Sequence, residues 1–180
     1  MAVRGVMLAV LSLLVAGCRD SGADIEAARQ FERFPLYWVG ERFEQWELET
    51  IEGLDRPLAR TIIFIYGECT PHNGSEPRCT PPFQIQVSPL CLHLSDVARA
   101  PIWKRRRIRG APVGTIDSAP VLFTRGAQVK VYRGEFSSPG LTVKVLRALR
   151  SINRVAPVIA SSDPIEPPAS GVLEGTRTCA

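Results

Sequence analysis

The sequence has few of the residues, and none of the short motifs, on which enzyme active sites most often depend. Histidine occurs only 2 times in 180 residues, so acid–base chemistry by histidine has few candidates. The G-x-S-x-G, H-E-x-x-H, P-loop and G-x-G-x-x-G patterns are absent. These absences favour a protein that is not an enzyme and holds no cofactor, and they rank an envelope hydrolase last of three candidate functions.

The sequence also lacks an apolar segment long enough to span a bilayer as a helix, which requires roughly 20 residues. Its longest apolar segment covers residues 6–16 and contains one serine. Arg4 precedes this segment. A charged start followed by an apolar core of about 7–15 residues is typical of a secretory signal peptide. The N-terminus therefore predicts export.

Directly after the apolar core stands Val15-Ala16-Gly17-Cys18, an aliphatic residue, two small residues and a cysteine. This segment resembles the lipobox of bacterial lipoproteins. The resemblance covers residues 1–18 and implies that Cys18 receives a diacylglyceryl group and becomes the new N-terminus after cleavage. Two or more acyl chains anchor a protein stably, since each buried methylene contributes about 0.8 kcal/mol. The expected location is therefore the cell membrane, with the lipid-anchored chain facing the extracytoplasmic side.

The charge of the chain gives a weak indication of its partners. The formal net charge is +4, which is too small an excess to indicate a nucleic-acid partner. The densest basic cluster consists of Lys104, Arg105, Arg106, Arg107 and Arg109. We expect this cluster in a solvated loop. The alternative is that the loop binds anionic lipid or a cell-wall polymer, each cation near an anionic surface contributing about 1 kcal/mol. Nothing in the sequence specifies a protein partner.

Four cysteines follow Cys18, and an even number in an exported chain predicts disulfides. They are Cys69, Cys79, Cys91 and Cys179. If residues 61–66 and 83–87 pair as a hairpin, Cys69 and Cys79 flank its loop. A Cys79–Cys91 bridge would have to close an extended span of about 35–40 Å, against roughly 6 Å between bridged Cα atoms, unless the chain bends at Ser88-Pro89. Cys91 then pairs with Cys179, or both stay free.

Reduced cysteines would give a different function, a metal-binding or redox-active protein of the cell envelope. Each histidine lies close to a cysteine in the sequence, in a Cys-x-x-His and a Cys-x-His pattern. The ligands would come from Cys69, His72, Cys79, Cys91 and His93. Oxidation in an exported protein competes with this interpretation.

Alternation and helical spacing predict the elements of the mature chain. Strands are predicted at 36–39, 46–50, 61–66, 83–87, 107–111, 121–124 and 128–132, and helices at 24–34 and 141–153. Residues 31–46 contain six of the thirteen aromatics. We expect these aromatics to form core packing beneath a sheet, with a ligand-binding platform as the alternative.

We therefore expect a single α+β domain with an antiparallel sheet of about five or six strands and a C-terminal helix packed on one face. The expected segments are a signal peptide at 1–17, a lipidated tether or short helix at 18–34, the domain at 35–157, and a disordered tail at 158–180. The tail is rich in Pro, Ser, Gly and Thr, a composition typical of disorder. The leading function is a non-catalytic binding or envelope-structure module.

Overall fold

The structure is a computed structural model that describes residues 24–68, 70–71, 79–92, 102–135, 137–155 and 159–178, and only the backbone of residues 70–71, 79 and 102–105. Two helices lie in these ranges, α1 (Ile25–Gln30) and α2 (Leu141–Ala148). The strands are β1 (Tyr37–Trp38), β2 (Arg42–Phe43), β3 (Trp46–Glu52), β4 (Ile62–Tyr66), β5 (Thr70–Pro71), β6 (Cys79–Thr80), β7 (Phe83–Pro89), β8 (Ile102–Ile108), β9 (Ala111–Ile116), β10 (Ala119–Phe123), β11 (Ala127–Arg133) and β12 (Arg150–Ser151).

Eight strands form one antiparallel sheet in the order β2-β3-β4-β7-β11-β10-β9-β8. Two further sheets have two strands each, β1 with β12 and β5 with β6. A mostly antiparallel sheet with little helix confirms the α+β expectation in outline. The predicted size of five or six strands is wrong.

The extra strands arise from two tight turns that the sequence pattern did not indicate. Arg109 and Gly110 have φ of 51° and 88°, and they reverse the chain between β8 and β9. Asp117 and Ser118, with φ of 51° and 63°, do the same between β9 and β10. Two consecutive left-handed residues suit a two-residue hairpin, for which Asn-Gly is the usual signal. The strand predicted at 107–111 is wrong because it runs across the first of these turns.

The two predicted strand pairings are confirmed. Strand β4 pairs with β7 in a register that extends from Ile62 opposite Val87 to Tyr66 opposite Phe83. Strand β10 pairs with β11 through Leu122 opposite Val129. In β4 and β7, alternate residues are fully buried, so strict alternation located these strands correctly.

The aromatic residues of the 31–46 segment pack in the core, as the first interpretation predicts. Their members Phe31, Phe34, Tyr37 and Trp38 are buried. Phe43 and Trp46 each contact the buried Phe83 edge-on, with ring centroids 5.8 Å and 5.6 Å away. Tyr66 stacks on the same ring at 4.5 Å. The main core lies beneath the inner face of the sheet.

Both predicted helices are shorter in the structure than in the sequence pattern. Helix α1 begins as predicted, with Asp24 Oδ1 accepting from Ala27 N at 2.8 Å, but it ends at Gln30 because Phe31 is extended. Helix α2 ends at Ala148 because residues 150–151 leave it to form β12, which pairs with β1. The predicted apolar side of α2 is buried, including Leu141, Val145 and Leu149.

Arg109 joins three parts of the fold through its guanidinium group. The group donates to the carbonyl of Asp163 at 2.6 Å, and to the carbonyls of Arg147, Leu149 and Ala160. Carbonyls at the end of a helix have no partner within the helix, so Arg109 satisfies the end of α2 while it holds residues 160–163. Burial lowers the pKa of Arg109.

Residues 159–178 form an arm against the sheet, and we call them the C-terminal arm. Ile159 and Ile165 are buried in the main core. Val172 and Leu173 belong to a second core, whose other members are Leu90, Ile116, Val121 and Phe123. The expectation of a disordered tail at 158–180 does not account for these contacts, because a few widely spaced apolar residues anchor the arm despite its polar composition. With Ala28, Phe31 and Phe34 also buried, the packed domain exceeds the expected 35–157 limits on both sides.

The side chain of Asn153 binds the segment that follows α1. Its Nδ2 donates to the carbonyls of Phe31 and Phe34, both at 2.8 Å, and its Oδ1 accepts from Leu36 N at 2.9 Å. Asn153 is only 3% exposed. Since buried backbone groups cost free energy when they lack a partner, these three bonds fix the path of residues 31–36.

We predict that Asn153→Ala destabilises the fold by roughly 2–5 kcal/mol, because it leaves buried backbone groups without partners. Urea unfolding followed by circular dichroism measures the change. Gln45→Ala, at an exposed polar position in the turn between β2 and β3, is the control and should change the free energy of unfolding by less than about 0.5 kcal/mol. Equal effects of the two substitutions would contradict the role given to Asn153.

The positions of the strand ends predict how the cysteines pair. Strand β5 pairs with β6, with Pro71 opposite Cys79, and this pair adjoins the Phe83 end of β7. Cys91 follows the opposite end of β7, about 20 Å along the strand, and it is disulfide-bonded. Its neighbour Leu90 packs with Leu173 of the C-terminal arm.

We therefore predict a Cys91–Cys179 bridge, since the arm brings the chain to Cys91 shortly before residue 179, and a Cys69–Cys79 bridge across the β5–β6 pair. Cys69 and Cys179 lie outside the described residues. Peptide mapping without reduction distinguishes the three possible pairings. A peptide joining Cys79 to Cys91 would show that the chain path from β5 to the arm is incorrect.

Candidate functional site

Few of the predicted site residues lie in the described part of the chain. Cys18, Cys69, His72, His93 and Cys179 lie outside the described residues, and of Cys79 only the backbone in β6 is described. Among the residues that are described, no three His, Cys, Asp or Glu side chains are grouped as metal ligands. Because Cys91 is in a disulfide, it is not the thiolate that the alternative metal site would require.

The basic cluster lies on an edge strand, and the predicted loop is wrong. Residues 104–107 belong to β8, the last strand of the eight-stranded sheet. Arg106 and Arg107 are exposed, and Arg107 donates to the carbonyl of Gly110 at 2.8 Å. Charged side chains on an edge strand oppose pairing with a second chain, so the cluster has a structural role without any ligand.

Arg109 differs from the other members of the cluster. Its guanidinium donates to four backbone carbonyls, and a guanidinium group has five N–H donors. The anion-binding hypothesis is therefore restricted to Lys104, Arg105, Arg106 and Arg107.

A second cationic surface, which sequence reasoning missed, surrounds α1. We call it the N-terminal face and define it as α1, the loop of residues 53–60, and the turn of residues 153–155. A groove of about 920 Å³ separates α1 from this turn. Its lining contains two arginines and two carboxylates: Glu26, Arg29 and Glu32 lie on one side with Gln30 and Phe31, and Arg154 lies on the other with Ile152 and Val155.

A neighbouring groove of about 570 Å³ shares Arg29 and Ile152 with the first, and Arg42 and Arg150 also line it. The Arg150 guanidinium carbon lies 5.4 Å from the ring centre of Trp38, a cation–π arrangement. Gly40 has φ of 103°, and a Cβ there would overlap Arg150. Glycine at position 40 therefore lets Arg150 lie over the ring.

Arg33, in the segment that follows α1, holds the loop of residues 53–60 in place. Its guanidinium donates to the carbonyls of Pro57 at 2.7 Å, Ala59 at 2.9 Å and Arg56 at 3.3 Å. At the tip of this loop Leu58 is 89% exposed. The loop therefore presents a bare apolar side chain from a fixed backbone.

The charges of the grooves are mixed. Arg29 pairs with Glu26 at 3.5 Å, and Arg42 pairs with Glu47. Ser151 accepts a hydrogen bond from Ile159 N at 2.9 Å, so its oxygen serves the backbone. Arginines over an apolar floor suit the binding of anionic groups, whereas nucleophilic catalysis requires a base beside the nucleophile.

Tyr37 and Tyr66 are buried in the core. The Tyr66 hydroxyl donates to the carbonyl of Gly40 at 3.0 Å and accepts from Val39 N at 3.3 Å. Burial raises the pKa of Tyr66 and, less strongly, that of Tyr37, in spite of a hydrogen bond to Thr124 that lowers the Tyr37 pKa. The folded state therefore favours the neutral form of both tyrosine side chains.

Because the folded pKa of Tyr66 exceeds the unfolded value of about 10, its contribution is complete below pH 10 and is lost as pH rises further. We predict that Tyr66→Phe lowers the free energy of unfolding by about 1–2 kcal/mol at neutral pH. Above pH 10 the parent should lose stability more steeply than the variant. Urea unfolding between pH 7 and about 11 measures both effects, and parallel curves would contradict the assignment.

Comparison with known proteins provides no relative for this chain. No protein-family model matches it, and no curated protein or solved structure gives a significant match. Of the described helices, none has the length and apolar character needed to cross a membrane.

Proposed function

We propose that the protein is a lipid-anchored lipoprotein of the cell membrane whose domain faces the extracytoplasmic side and acts as a non-catalytic binding or envelope-structure module. The observation that carries this proposal is the sequence Val15-Ala16-Gly17-Cys18 directly after an apolar signal-like segment. Lipid on Cys18 would hold the domain at the bilayer surface, since Asp24, the cap of α1, is reached by six residues, at most about 20 Å of extended chain.

Three of the five buried polar side chains of the described residues have structural hydrogen bonds, which is compatible with a role without catalysis. Asn153 binds the 31–36 backbone, Thr124 exchanges hydrogen bonds with Ala127, and Ser88 bonds to Thr61 at 2.8 Å. These groups stabilise turns and strand ends. The Cys91 disulfide weighs against the metal-binding alternative, which needs Cys91 as a thiolate.

We predict that Cys18→Ser abolishes lipid labelling and moves the protein from the membrane fraction to the aqueous fraction, because the thiol is the atom that would be acylated. Detergent partitioning and incorporation of a labelled fatty acid measure the two effects. Ser21→Ala is the control, since it changes a residue of the same N-terminal segment but leaves residues 15–18 and all cysteines intact. Labelling of the Cys18→Ser protein at the parental level would overturn the anchor.

A further inference from the structure

We propose that the N-terminal face docks on the bilayer, with Leu58 inserted among the lipids and the flanking arginines bound to anionic phospholipid headgroups. This inference rests on the proposed lipid anchor and specifies which surface the anchored domain turns towards the membrane. It differs from the hypothesis for the β8 cluster in the residues involved and in its use of an apolar side chain.

The first observation is the position of the exposed apolar residues. Within the described part of the chain, the large apolar side chains that stand exposed are Leu58 at 89% and Val155 at 41%. Arg56 and Arg60 flank Leu58 at a spacing of two residues, and Arg154 precedes Val155. An apolar tip between cations suits a membrane interface, since the tip enters the acyl boundary while the cations remain at the phosphates.

The second observation is that one short segment holds both tips. Arg33 binds the backbone of the Leu58 loop through three hydrogen bonds. Asn153, which precedes Arg154 and Val155, binds the same segment through Phe31, Phe34 and Leu36. The tips therefore project from a backbone that is fixed before any lipid is bound, which reduces the entropy lost on docking.

The third observation is the position of the anchor relative to this face. The segment of residues 31–36 follows α1, and α1 begins seven residues after Cys18. The short connection keeps the N-terminal face at the bilayer and gives it a high effective concentration there. A bilayer is therefore the occupant that the geometry favours over a polymer farther from the membrane.

The β8 cluster provides a comparison within the same chain. In the sheet order, β8 lies six strands from β3, where the Leu58 loop begins. Its arginines stand on an edge strand and already have a structural role. Substitutions in β8 remove the same kind of charge without touching the N-terminal face, which makes them a matched control.

The test uses the full lipidated protein bound to vesicles. The vesicles consist of phosphatidylcholine alone or of phosphatidylcholine mixed with phosphatidylglycerol. The rate of amide hydrogen exchange is measured for each peptide of the protein. We expect exchange at residues 53–60 and 153–155 to slow by about tenfold on the mixed vesicles only, and to recover as salt rises. Arg56→Ser with Arg60→Ser should abolish most of this protection, and Leu58→Ser should reduce it. The triple change of Arg105, Arg106 and Arg107 to Ser should leave it unchanged.

The outcomes separate the face from the anchor. The protein could float with both kinds of vesicle while amide hydrogen exchange at residues 53–60 and 153–155 stays unchanged. That result would overturn the docking of this face and leave the anchor intact. Failure to float with phosphatidylcholine vesicles would overturn the anchor itself, and the inference with it. Protection by a soluble anionic cell-wall polymer, in the absence of protection by vesicles, would assign the face to the polymer and refute the bilayer.

Discussion

The hydrogen bonds of the Asn153 amide are the constraint on which the N-terminal part of the domain depends. They join a turn after β12 to the backbone of residues 31–36, and this segment in turn carries Arg33 and the aromatic rings of the core. The same segment leads into β1, which pairs with β12 as a separate two-stranded sheet. The exposed surface around α1 thus inherits its shape from one buried amide.

Arg109 performs a comparable function at the other side of the main core. A charged group is an unusual choice for a structural link, because part of its hydration is lost, and the lowered pKa records that cost. Four carbonyl oxygens offset it, and the planar guanidinium reaches acceptors on α2 and on the C-terminal arm from one position. A lysine would place three donors around one nitrogen and would not span these sites.

Sequence reasoning located those parts of the fold in which local pattern and tertiary packing agree. Strands β4 and β7 bury alternate residues over most of their length, and Val129 and Val131 of β11 alternate with less buried residues. The apolar strand β10 is buried continuously over residues 121–123. Strands β8 and β9 were not separated because Arg109 adopts a left-handed turn conformation between them, and Asp117 does the same between β9 and β10; residue type alone does not specify either turn. The end of α2 was misplaced because pairing of β12 with β1 overrides the helical periodicity, a tertiary effect.

In the candidate site too, local sequence patterns were recognised and features that depend on tertiary contacts were missed. A basic cluster that is contiguous in sequence, at 104–109, was easy to see, but its arginines lie on an edge strand or bind backbone carbonyls. The N-terminal face is assembled from α1, residues 53–60 and residues 153–155. These segments carry no local motif. The bonds of Arg33 and Asn153 join residues 53–60 and 153–155 to the segment after α1, and Ala28 packs α1 on the core. Surfaces built from distant segments are visible only after folding.

The separation in sequence of the residues joined by Asn153 also determines when this surface can exist. Asn153 and Phe31 are 122 residues apart, and the second core likewise joins Leu90 to Leu173. Domains dominated by such distant contacts fold slowly, because the entropy cost of closing a long loop comes before the stabilising contacts form. A chain that is still being synthesised therefore cannot form these surfaces until Asn153 and Leu173 have been added. For a protein proposed to be exported, that delay is useful, since the chain stays extended and threadable during transport and acquires its membrane-facing shape only afterwards.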